Sequence, residues 1–200
     1  CLGMVSNFTM KKILIICPYP IDEAPSQRLK YEQYFDYLSN NGYKLEVIPF
    51  FNLNTYKILY SKGNFFKKFF GVCKGFIKRI SHLYKVYNCD GLYIHLNVVP
   101  NGPALIEWFY IKLAKKIIYD IDDMVFLLRT SSNNSVFHGF KSKKRYFLLL
   151  KNANHCITCT PALDKIAKKY NPRTTDISST INTDTYIPKN KYINKKEIVI

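Results

Sequence analysis

Lys12-Ile-Leu-Ile-Ile-Cys17, followed at once by Pro18-Tyr19-Pro20, is the stretch that decides the fold. The run is short, β-branched and apolar on both faces, and the prolines that follow stop it, so it reads as a buried strand ending in a loop. A strand apolar on both faces needs helices above and below it and belongs at the centre of a parallel sheet. After the loop, Ser26 is placed to cap a helix whose apolar side is Leu29, Tyr34, Phe35, Tyr37 and Leu38, with Asn40-Asn41-Gly42 ending it. Lys44 to Pro49 returns as a strand, completing a β-α-β unit with a right-handed connection.

The alternation continues to the far end. Asn64 to Tyr87 reads as a long helix, Gly91 to Leu96 as a strand, Pro103 to Lys116 as a helix with proline in its first turn, and Ile117 to Ile121 as a strand. A polar loop from Thr130 to Gly139 precedes a helix from Lys141 to Asn152, a strand from His155 to Thr158, a helix from Pro161 to Tyr170 and a last short strand around Thr175 to Ser178. Strands alternating with helices in this way predict an α/β fold, an open, doubly wound, mostly parallel sheet of Rossmann-like type. Residues 11–183 form that domain, 1–10 are expected to be an extension upstream of it, and 184–200 read as a linker delivering Ile198-Val199-Ile200 to a further domain.

Composition agrees with a packed core. Two hundred residues at about 150 per domain give one domain and a remainder, and 48% apolar, 16% aromatic and 22% charged residues exclude a disordered, collagen-like or mini-protein chain. Thirty Lys and Arg against 14 Asp and Glu leave a formal charge of +16. That excess points to an anionic partner, although the abundance of Lys, Asn, Ile and Tyr also fits a compositional bias. The six cysteines are scattered through apolar surroundings and read as reduced core thiols, Cys156 and Cys159 included. No apolar run reaches the roughly 18 residues that span a bilayer, and the first ten residues lack the pattern of a signal peptide, so a cytosolic location is expected.

Three segments carry candidate chemistry. Ser26, Gln27 and Arg28, with Pro25 before them, open the first helix, where free N–H groups and a guanidinium suit a phosphate. Asp120, Asp122 and Asp123 crowd the carboxyl end of the Ile117 strand, an arrangement that is costly unless a hydroxyl, a cation or a metal shares the site. Holding hydroxyls, general-base chemistry and Mg²⁺ ligation are the roles open to them. The third segment, Asn64 to Tyr87, is a basic amphipathic helix. Its second half is expected to pack on the sheet, whereas Phe65, Phe66, Phe69 and Phe70, interleaved with Lys67, Lys68, Lys74 and Lys78, exceed one stripe and suit an anionic membrane surface. His82, His95, His138 and His155 show no metal-ligand spacing and read as structural.

Together these residues resemble the N-terminal half of a GT-B glycosyltransferase of the large group four family of retaining enzymes. The resemblance rests on the opening strand with Pro-Tyr-Pro and Ala24-Pro-Ser-Gln-Arg28, on Tyr119-Asp-Ile-Asp-Asp123, and on Asn152-Ala-Asn-His-Cys-Ile-Thr-Cys-Thr-Pro-Ala-Leu163 followed by Ile181-Asn-Thr-Asp-Thr-Tyr-Ile-Pro188. The chain differs in having Asp120 where many members have His and Pro25-Ser26 where many have Gly-Gly. The resemblance implies an acceptor-binding domain for a cell-surface glycan or glycolipid, such as a lipopolysaccharide, with a nucleotide-sugar as substrate and no metal cofactor. It places Arg28 and the Ser26 helix start near the donor diphosphate and the three Asp near the acceptor hydroxyl, and it assigns no Asp nucleophile. The Glu-x7-Glu motif of the family's donor-binding half does not occur here, so this part alone is expected to be inactive.

Two other classes are open. A non-catalytic basic module on a membrane accounts for the charge, RNA being disfavoured because stacking motifs are absent. Asp120-Ile-Asp122 also resembles the first motif of haloacid-dehalogenase-like phosphatases, which belongs on an opening strand.

Overall fold

The computed structural model describes residues 10–100, 102–123 and 144–184. Strands β1 (Lys11–Cys17), β2 (Tyr43–Pro49), β3 (Gly91–His95), β4 (Ile117–Ile121), β5 (His155–Thr158) and β6 (Thr174–Asp176) form one sheet in the order β2-β1-β3-β4-β5-β6. Every pairing is parallel. The α/β doubly wound reading therefore holds, with β1 paired on both sides but one strand in from the edge instead of at the centre.

Only the step from β1 to β2 runs one way along the sheet; each later crossover runs the other way. Right-handed connections therefore put α1 (Pro25–Lys30) and α2 (Phe35–Asn40) on one face. They put α4 (Phe65–Ser81), α5 (Leu83–Asn88), α6 (Leu105–Leu113), α7 (Lys144–Asn152) and α8 (Pro161–Ala167) on the other. The cores follow the two-residue period of the strands. Leu14 and Ile16 join the larger core with Val86, Tyr110, Leu149 and Leu163, while Ile15 and Cys17 join a smaller one with Tyr31. Among the described residues α1 and α2 cover little of their face and leave a groove of about 940 Å³ there, floored by Ile13, Gly91 and Ile118.

Several local expectations change. The helix expected from Ser26 is split at Tyr31, and Ala24, not Ser26, occupies its N-cap without a side-chain hydrogen bond, because Pro25 already takes the first position. The long helix breaks at His82, and Pro103 lies ahead of α6. An additional helix, α3 (Leu53–Leu59), is capped by Asn52, whose Oδ1 accepts from the Thr55 amide at 2.8 Å. The extension before Met10, the Thr130–Gly139 loop and the linker beyond Asp184 lie outside the described residues.

The second half of the expected long helix packs on the core as anticipated through Phe76, Leu83 and Val86, but part of its expected apolar face points outward. Gly71, Gly75 and Arg79 face inward and are buried, whereas Ile77 and Ile80 are exposed, as are Tyr84 and Tyr87 of α5. Arg79 is fully buried and donates from Nε to Val98 O at 2.7 Å, from Nη1 to Ile48 O at 2.8 Å and from Nη2 to Cys17 O at 2.8 Å. One guanidinium thus ties together the carboxyl ends of β1 and β2 and the loop after β3. The two glycines let the helix come this close: a Cβ at Gly75 would lie 2.5 Å from the Phe50 ring, and one at Gly71 would collide with Thr55.

Replacing Arg79 by Leu removes three charge-assisted hydrogen bonds to buried carbonyls, worth about 1.5–3 kcal/mol each, and Cys17 O keeps a second donor, the Phe50 amide at 2.8 Å. Urea unfolding should register a loss of at least about 3 kcal/mol, with Arg79→Lys recovering only part of it, since an ammonium cannot span three divergent acceptors. Wild-type stability in Arg79→Leu would show that the clamp is dispensable.

Candidate functional site

The sheet's strand order reverses between β1 and β3, so their diverging exit loops open a crevice at the carboxyl edge. The loop after β1 is held from inside. Gln27 is buried; its Oε1 accepts from the Tyr19 amide at 3.0 Å, and its Nε2 donates to Tyr19 O at 3.0 Å and to Glu32 Oε1 at 3.1 Å. Glu32 Oε2 in turn accepts from the amide of Asp22, a residue in the left-handed region at φ 66°. The Gln27 amide is thus committed to loop structure and is not open to a substrate phosphate, while Pro25 and Arg28 are exposed and Ser26 is half-buried at the same helix start.

Across the crevice, the β3 to β4 register sets His95 beside Asp120. The two-residue period then puts Tyr93, His95 and Asp120 on the face covered by α1. Asp120 is fully buried: Tyr93 Oη donates to its Oδ2 at 2.5 Å, His95 Nδ1 lies 3.1 Å from the same oxygen, and Lys30 Nζ stands 3.3 Å from Oδ1. Tyr31 sets its ring edge-on to His95 at 5.4 Å. Burial pushes the Asp120 carboxyl up, but the His95 hydrogen bond and charge, the Lys30 charge and the Tyr93 hydroxyl outweigh it and hold the group below the usual carboxylate range.

Asp122 behaves in the opposite way. Its side chain keeps 15% of its surface exposed, and burial, the larger influence, pushes its carboxyl up, with the neighbouring Asp120 charge adding to the rise and His95 opposing it. His95 Nε2 is enclosed without a hydrogen-bond partner, 3.8 Å from Asp122 Oδ2. That gap is too long for a hydrogen bond and leaves the ring edge in electrostatic reach of the carboxylate. Cys159, at the end of β5, donates its thiol to Asp122 O at 2.6 Å and fixes the backbone beneath it. Asp123, the next residue, is exposed.

Leu96, directly after β3, adopts φ 64°, a left-handed conformation that costs a branched residue about 1–2 kcal/mol. Tyr119 Oη donates to its carbonyl at 2.9 Å and its amide donates to Asp120 O at 2.9 Å, so β4 enforces the strained turn. Strain of this kind collects at functional sites.

The three Asp therefore separate by role. Asp120 is an enclosed anchor, Asp122 a half-open carboxyl of raised proton affinity, and Asp123 a group at the surface. Lys30, Tyr93 and His95 complete the cluster and were not among the sequence candidates. The available signal was the polar pair Tyr93 and His95 on one face of an otherwise apolar strand. Among the described residues no three His, Cys, Asp or Glu side chains gather as metal ligands. No protein-family model matches the chain, and no curated protein does.

Asp120 and Asp122 should affect stability with opposite sign. A depressed folded-state value adds stability that is complete above the unfolded value of about 3.9 and disappears as pH falls through the folded one. A raised value imposes a cost that is present at neutral pH. At pH 7 Asp120→Asn should lose about 3–5 kcal/mol, by leaving the Lys30 charge without its counter-charge and with the Ile177 carbonyl as its hydrogen-bond acceptor, whereas Asp122→Asn should be neutral or stabilising. Denaturant titrations of both variants check this, and equal losses would dissolve the distinction.

Proposed function

We propose that these residues are the acceptor-binding half of a retaining GT-B glycosyltransferase that uses a nucleotide-sugar and delivers the sugar to a glycan or lipid-linked acceptor on the cytoplasmic side of a membrane. The observation that carries the reading is Asp122: a half-open carboxyl of raised proton affinity, backed by His95 and an ionised Asp120, at the carboxyl edge where the strand order reverses. A carboxylate so placed accepts a hydrogen bond from a sugar hydroxyl and aligns its oxygen for attack. Asp123 offers a second acceptor for a neighbouring hydroxyl, as paired carboxylates do in sugar recognition.

His95 and Asp120 act through Asp122. Asp120 holds the His95 ring at Nδ1, 3.1 Å away, and so sets its Nε2 3.8 Å from the Asp122 carboxyl. Exposed Arg28, near the half-buried Ser26, supports the assignment of this helix start to the donor diphosphate. In the retaining reaction that the resemblance implies, an oxygen of that diphosphate helps to take the acceptor proton, so Asp122 positions the hydroxyl and forms no bond to sugar. No resident cofactor enters the scheme.

A phosphatase of the haloacid-dehalogenase type needs the first Asp of its motif free to attack phosphorus. Asp120 is fully enclosed by Tyr93, His95 and Lys30, and it lies on β4 instead of the opening strand. Among the described residues no helix is long and apolar enough to cross a membrane.

In the complete transferase, Asp122→Asn and Asp123→Asn should each reduce kcat/KM for transfer at least about tenfold, or roughly 1.4 kcal/mol of barrier, with the thermal transition preserved. Unchanged turnover in both would remove the acidic edge from the acceptor site. Hydrolysis of a phosphomonoester without any sugar donor would replace the proposal outright.

A further inference from the structure

α4 packs on the core through Val72 and Phe76, yet its outward arc is apolar as well. The buried positions are Gly71, Gly75 and Arg79, while Phe66, Phe69 and Phe70 are exposed by 74%, 53% and 61%, and Ile77 and Ile80 by 66% and 58%. At 100° per residue these five side chains fall on one arc of the helix, roughly opposite the arc of Gly71, Gly75 and Arg79. A helix packed only for stability places its apolar arc inward. Here the contact with Arg79 and the two glycines prevents that, and the aromatic arc has no partner among the described residues.

Charge identifies the partner. Between Glu46 and Asp90 the sequence contains no acidic residue, and Lys57, Lys62, Lys67, Lys68, Lys74 and Lys78 fall within that interval. Lys67 and Lys74 border the aromatic arc and are exposed. A second copy of this chain would bring one set of lysines against the other with no carboxylate from the same segment to offset them, which opposes self-pairing. An apolar arc bordered by cations matches a surface that is anionic outside and hydrocarbon within.

We infer that α4 is an interfacial docking helix for an anionic lipid bilayer, with Phe66, Phe69 and Phe70 entering the headgroup boundary and Lys67 and Lys74 facing lipid phosphates. This inference is independent of the proposed sugar transfer, because vesicle binding requires neither donor nor acceptor.

The test is co-sedimentation of the 200-residue chain with phosphatidylcholine vesicles, with and without phosphatidylglycerol, alongside sedimentation equilibrium without lipid. Binding should need phosphatidylglycerol and weaken toward about 1 M salt, where the Debye length shrinks to about 3 Å. Phe66→Ser/Phe69→Ser should bind at least about tenfold less, as expected from removing two interfacial aromatic side chains, with wild-type circular dichroism and melting. Lys67→Glu/Lys74→Glu should lose the preference for phosphatidylglycerol. No binding at low salt, undiminished binding by the Phe pair variant, or its failure to fold would each overturn the inference, the last by making those rings core. A wild-type dimer dispersed by the Phe substitutions would reassign the face to a second copy.

Discussion

The three hydrogen bonds from Arg79 to Cys17, Ile48 and Val98 are the constraint on which the rest of the structure depends. Parallel strands end in carbonyls that point out of the sheet, and three strands ending together leave a patch of acceptors that water cannot reach once helices cover it. A single planar guanidinium meets three of them, each from a different nitrogen, a spread that the single nitrogen of an ammonium lacks. Among the described residues no carboxylate forms an ion pair with the cation; the carbonyl dipoles, the Phe50 face, 5.6 Å from its centre, and the charge of the buried Glu107 offset its desolvation. Burial drives the Arg79 value down, yet a guanidinium is basic enough to stay charged.

From that clamp the phase of α4 follows. With Arg79 inward, positions four and eight residues earlier also face inward, and these are Gly75 and Gly71. Larger residues there would lift the helix off Phe50 and Thr55 and break the guanidinium contacts. Phe66, Phe69 and Phe70, earlier in the helix, are left on the outside by the same geometry, whereas Phe76 packs on Phe50. One buried cation therefore both closes the carboxyl edge of the sheet and turns an apolar arc toward the surroundings.

How much of this the sequence showed depends on the range of the interaction. Lys12 to Cys17 and the alternation after it gave the strands and their parallel arrangement, because a two-residue or four-residue period is local. The acidic strand end was equally visible in Tyr119-Asp-Ile-Asp-Asp123. Its internal division was not, since the enclosure of Asp120 comes from Tyr93 and His95 through a strand register and from Lys30 through a crossover helix. Gln27 looked like one more polar residue at a helix start, and only the returning Tyr19 loop makes it structural. For α4 the period revealed an apolar arc but not its direction, which is set by carbonyls many residues away.

The position of α4 relative to the site is a further consequence of the clamp. Arg79 stands level with the carboxyl ends of β1 and β2, and fourteen helical residues precede it in α4, about 21 Å at 1.5 Å per residue. Gly71 and Gly75 in that stretch rest on Thr55 and Phe50, which follow β2, and not on strand residues. The aromatic start of α4 is thereby built upon the segments that leave the carboxyl edge, the same edge at which Asp122 is half open. A surface engaged by α4 would lie nearer to that edge than to the amino ends of the strands, where the open groove is lined by Lys11, Tyr43 and Lys116. The direction of one buried arginine thus fixes toward which edge of the sheet the aromatic start of α4 lies.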